Sequence, residues 1–67
     1  MTNTPTNLER QIMILVCEEL TNKEIAQKLN RSERTISKYK ENIFHKFDLK
    51  NSVGIAVYSI KNKIYEV

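Results

Sequence analysis

Apolar residues return along this chain at steps of three and four, and strand-like alternation is never sustained over a useful length. The first run, Leu8, Ile12, Leu15 and Val16, shares one helical face, with Met13 and Cys17 widening it. Ahead of it, Thr6 and Glu9 stand at capping-box spacing: the hydroxyl accepts from an early helix N–H and the carboxylate reaches back. Pro5 discourages helix upstream. The pattern predicts a helix over 7–19. A second box, Thr21 and Glu24, opens a helix over 22–29 with Ile25, Ala26 and Leu29 inward. Only two turns long, it holds its shape only when packed. Asn30 and Arg31 break the period, and Ser32 can cap a third helix over 33–47. Its inner stripe is Ile36, Tyr39, Ile43 and Phe47, with Phe44 beside it. Asn51 caps a fourth helix over 52–62, with Val53, Ala56, Val57 and Ile60 inward and Ile64 following. Ile55 and Tyr58 fall off that stripe and are expected at the surface. The fold class is therefore all-α: a compact four-helix domain over 6–67, after a disordered or linker-like start over 1–5.

The join between the second and third helices is tight. Ala26 is small where two helices must approach closely, Asn30 tolerates the left-handed conformation, and Ile36 packs back from the third helix. This is the logic of a helix-turn-helix. The outer stripe of the third helix is Arg34, Ser37, Lys38, Glu41 and His45. Every surface helix has a polar face, so solvation accounts for the stripe alone as readily as recognition does. Two features favour recognition. The tight turn projects this helix outward, and the stripe mixes donors and acceptors of the kinds that read base edges in a major groove. Arg31, Lys38, Lys40, Lys46 and Lys50 place positive charge close by.

Composition bounds the alternatives. A chain of 67 residues has room for one domain and one core. Eleven Lys and Arg against eight Asp and Glu give a net charge of +3, which permits nucleic-acid binding without demanding it. The single cysteine, Cys17, cannot form an internal disulfide, which suits a reducing cytoplasm, and it reads as a small buried hydrophobe. No apolar run approaches the ~20 residues needed to cross a bilayer. The opening MTNTPTN lacks the basic-then-apolar order of a signal peptide. With one histidine, His45, no Cys-x-x-Cys and one glycine, Gly54, no catalytic, metal or cofactor site is spelled out, and an enzyme is not expected.

Three stretches, LTNKEIAQKL (20–29), SERTISKY (32–39) and NIFHKFDLKN (42–51), stand in an order and spacing that resemble the LuxR/GerE-type DNA-binding domain. That domain closes many bacterial transcription regulators and also occurs as small free-standing proteins. The resemblance runs from about Thr6 to Ile60. It implies sequence-specific binding of double-stranded DNA in the cytoplasm, on the nucleoid. Arg34, Ser37, Lys38 and Glu41 would face the groove, and Asn22, Lys23, Thr35, Lys46 and Lys50 would meet phosphates. It also implies a weak homodimer through the fourth helix, favoured on DNA, which the off-stripe Ile55 and Tyr58 would serve. A receiver domain would be a further partner if the chain is a fragment of a response regulator.

Departures from the family pattern bear on the target. Thr6-Asn7-Leu8-Glu9 lacks the usual Arg at Leu8, which puts one common ion pair in doubt. Ser37 stands where a basic residue is common, Tyr39 where His is frequent, and Ser52 where an Arg often opens the fourth helix. Two alternatives stay open. Glu41 can pair with Lys38 or His45 on the helix surface instead of reading a base. The scaffold can also serve as a protein-interaction module, an antagonist that pairs with a full-length regulator.

Overall fold

The computed structural model describes residues 4–66. Four helices follow in order: α1 (Asn7–Cys17), α2 (Asn22–Leu29), α3 (Glu33–Lys46) and α4 (Ser52–Lys61). α1 packs on both α4 and α3, and α2 packs on α3. Of the linker-like start expected over 1–5, residues 1–3 lie outside the described residues, as does Val67 of the domain expected over 6–67. Thr4 and Pro5 lead directly into the cap of α1.

Local chemistry sets the helix starts. Thr6 and Thr21 each close a full capping box, with Glu9 and Glu24 bonding back to the cap N–H at 2.9 and 2.8 Å. Ser32 accepts from the Thr35 N–H at 3.1 Å, and Asn51 accepts from the Gly54 N–H at 3.0 Å. These contacts satisfy N–H groups that have no partner inside the helix.

The helix ends share one device. Glu19, Asn30, Asp48 and Lys63 have φ of 67°, 59°, 56° and 58°. After each, the next N–H folds back five residues: Leu20 to Leu15 at 3.2 Å, Arg31 to Ala26 at 2.8 Å, Leu49 to Phe44 at 2.7 Å and Ile64 to Ser59 at 2.8 Å. This is the Schellman arrangement. Leu20, Leu49 and Ile64 then pack against the core. That anchoring offsets the ~1–2 kcal/mol cost of a left-handed non-glycine residue. It also ends α1 at Cys17, two residues short of the expected 19. Asn30 makes the central turn as expected.

The core joins Ile12, Met13 and Leu15 of α1, Ile25 and Ala26 of α2, Ile36 and Ile43 of α3, Phe47, and Ile55 of α4. The inner faces expected for the first three helices are the ones observed. α4 is turned the other way. Ile55 is fully buried and Tyr58 is half-buried, its ring centroid 4.8 Å from that of Phe47. Val53, Val57 and Ile60, expected inside, are 70, 51 and 43% exposed. The reason is that α4 is apolar on nearly every side, so periodicity alone does not fix its phase. Small residues decide it instead. Ser59 is fully buried on the inner side, and a Cβ on Gly54 would lie 3.4 Å from the Leu49 Cβ. Assigning Ile55 and Tyr58 to an exposed dimer surface is therefore corrected: both belong to this chain's own packing.

Candidate nucleic-acid interface

α3 lies across the domain with its inner face on α1 and α2. Arg34, Ser37, Lys38, Glu41 and His45 are all exposed on the opposite face. Among the described residues no salt bridge joins Glu41 to Lys38 or His45. The helix thus presents cations, a hydroxyl and a carboxylate outward together.

One flank of α3 is tied to the start of α2 by Asn22. Its Nδ2 donates to Ser37 Oγ at 3.1 Å, and its Oδ1 accepts from Lys40 Nζ at 3.0 Å. Ser37 accepts here, so its own O–H remains able to donate outward. Lys40 is half-buried, and burial pushes its ammonium pKa down. Asn22, Lys40, Lys50, Asn51 and Ser52 line an open cleft of about 370 Å³ where α2, α3 and α4 meet. Lys23 is exposed at the start of α2, and Lys50 is exposed just before α4.

On the other flank, Thr35, Lys38, Tyr39 and Asn42 line a cleft of about 270 Å³. Thr35 is half-buried, and its Oγ1 is 2.8 Å from Ser32 Oγ. Tyr39 is half-buried against the core, as the inner stripe requires, and the Arg31 guanidinium lies over its ring at 5.8 Å from the centroid.

Lys46 has partners inside the domain that the sequence did not announce. Its Nζ donates to Glu9 Oε1 at 2.9 Å and to the Thr4 carbonyl at 3.0 Å, and lies 5.5 Å from the centre of the Phe47 ring. The Lys46 expected at a phosphate is engaged inside the domain, where its ammonium binds the end of α3 to the start of α1. Partial burial pushes the Glu9 carboxyl up, but the Thr6 N–H and the Lys46 ammonium pull it further down, so its pKa is net lowered. Leu8 leaves the cap without the family's Arg, yet the Glu9 carboxylate is well held.

The polar bridging was hidden in the sequence. Asn22 is 15 and 18 residues from its partners, and Glu9 is 37 from Lys46, so no local spacing reports either link. Cys17 is half-buried, and burial pushes its thiol up. The Ser59 hydroxyl nearby draws the thiol down but is itself left without a full hydrogen bond. Among the described residues no group of three or more His, Cys, Asp or Glu could hold a metal ion, and no helix is long and apolar enough to cross a membrane.

Four helices, a short α2 turning sharply into an outward α3, and cationic clefts on both flanks of α3 define a helix-turn-helix domain. The chain belongs to the luxR family of bacterial regulatory proteins, whose GerE model matches residues 5–59. It is 43% identical over 56 residues to a probable transcriptional regulator ycf29 of Pyropia yezoensis, covering 84% of this chain and 25% of that protein. The corresponding protein of Porphyra purpurea is 41% identical over 56 residues, covering 84% of this chain and 27% of that protein. The oxygen regulatory protein NreC of Staphylococcus haemolyticus (strain JCSC1435) is 34% identical over 58 residues, covering 87% and 27%. The chain spans about a quarter of the length of these relatives.

Proposed function

We propose that this domain binds double-stranded DNA sequence-specifically as the DNA-contacting part of a bacterial transcription regulator, with α3 in the major groove. The observation that carries the reading is the outer face of α3: Arg34, Ser37, Lys38 and Glu41 are exposed together and held in no salt bridge among the described residues. Lys38 and Arg34 donate to guanine O6 or N7, Glu41 accepts from a cytosine amino group, and Ser37 donates to an acceptor edge. Asn22, Lys23, Thr35 and Lys50 meet phosphates and set the register, with Lys40 adding charge beside them. Lys46, whose ammonium is shared with Glu9 and the Thr4 carbonyl, is not assigned to a phosphate. The names of the relatives, probable transcriptional regulator and oxygen regulatory protein, support the same reading.

The exposed stripe Val53, Val57 and Ile60 gives α4 an apolar surface. Two copies joined there would set two α3 helices about one DNA turn apart on a palindromic site. A single short helix covers well below the ~1,200 Å² of stable complexes, so the dimer is weak in solution and forms on DNA. The same stripe would serve an antagonist that pairs with a full-length regulator.

Selection of bound fragments from random DNA, followed by affinity measurements over a salt series, tests the proposal. Enrichment of one motif is expected, with log affinity falling by about 0.9 per log unit of salt for each phosphate neutralised. No binding at low salt would overturn it and favour the antagonist.

A further inference from the structure

Resting on the DNA-binding reading, we infer that Arg31 and Tyr39 form a second phosphate site, on the flank of α3 opposite α2. At ~100° per residue, the side chains beside the outer face of α3 divide into two groups. Ser37, Lys40 and Phe44 turn one way, towards Asn22 and Lys50. Thr35, Tyr39 and Asn42 turn the other way, into the cleft of about 270 Å³. A helix in a major groove ~12 Å wide has one phosphodiester backbone on each side. The first flank carries Lys40 and Lys50 for one strand. The second is bordered by Lys38, which also belongs to the outer face, and Arg31, lying over the Tyr39 ring, adds a cation beside it.

Arg31 follows the left-handed Asn30, and its backbone N–H is fixed on the Ala26 carbonyl at 2.8 Å. Its side chain is exposed and lies over the Tyr39 ring, and no carboxylate among the described residues pairs with it. A guanidinium lying over an aromatic ring keeps in-plane N–H groups available, in the fork that suits a phosphate. The ring holds the cation in place without neutralising it, as a carboxylate would. Thr35 and Asn42 line the same cleft with neutral donors. Arg31 is thus a contact to one strand, and Tyr39 is the residue that positions it.

The test is Arg31→Gln on the selected DNA target, with neutral methylphosphonates replacing single phosphates on each strand. The variant is expected to melt like the wild type and to weaken target and random DNA alike. Its salt slope should be smaller by about 0.9. It should also be indifferent to one methylphosphonate that weakens the wild type, on the strand opposite the one sensitised by Lys50. Arg31→Lys keeps the charge but not the planar fork, so it should retain the slope and lose affinity several-fold. This second variant decides the matter if Arg31→Gln melts early. An unchanged slope and methylphosphonate map in Arg31→Gln, or wild-type affinity in Arg31→Lys, would overturn the inference while leaving DNA binding standing. Wild-type protein that binds no DNA would overturn both.

Discussion

Glu9 does two jobs with one oxygen: its Oε1 accepts from the Thr6 N–H and from Lys46 Nζ, both at 2.9 Å. The first contact was legible because it spans three residues; the second was not, because it is set by how α1 and α3 pack. Lys46 therefore read as one more cation near α3. The pair gives a pH signature. The Glu9 pKa is lowered in the folded state, so its contribution is fully present above the unfolded value, near 4.5, and is lost as pH falls through the lower folded value. Glu9→Gln should cost about 0.5–1 kcal/mol at neutral pH, since the pair is not fully buried. The difference from wild type should shrink steadily as the pH falls through that range, from the unfolded value to the lower folded one. Thermal melts across that range check it. A gap of constant size would show that the ion pair contributes nothing. At Cys17 the reading of a small buried hydrophobe is met only in part, since the residue is half-buried, and nothing local disclosed the buried Ser59 beside it.

The helices differ in how far their phase could be read. α1, α2 and α3 each carry one apolar stripe against polar neighbours, so the buried face follows from the spacing of Ile12, Ile25, Ile36 and Ile43. The ends were less legible, because Glu19 and Asp48 carry left-handed turns in which glycine is the usual signal. α4 has apolar residues on all sides, and its orientation is chosen by the Tyr58–Phe47 ring contact and by the small Ser59 and Gly54. The proposed dimer surface moves with it, from Ile55 and Tyr58 to the exposed Val53, Val57 and Ile60. Val57→Glu should leave the fold intact, because the site is half exposed, and should abolish cooperative binding to a palindromic site while sparing half-site binding. Ile55→Glu should unfold the domain, since a lone carboxylate would enter the core. Titration of full and half sites alongside melts separates the two. Cooperativity that survives Val57→Glu would place the dimer contact elsewhere.

At the scale of the molecule, a small core is enough to hold α3 outward. α1 sits against α4 and α3, α2 braces α3 from the other side, and Asn22 locks the angle between them. The fold class, the turn and the outer stripe of α3 were all legible, because each follows from periodicity, caps and one left-handed asparagine. The flanking clefts were not, because Lys50 reaches the first through the α3–α4 turn and Arg31 reaches the second through a ring eight residues away. The central claim is that the outer face of α3 reads sequence. It is tested most directly by the affinity of Lys38→Ala for the selected target and for a scrambled duplex at one salt concentration. A reader at this position predicts a loss of about 1–3 kcal/mol on the target, a much smaller loss on the scrambled duplex, and relaxed preference at one base pair. A target-to-scrambled ratio equal to that of the wild type would contradict it.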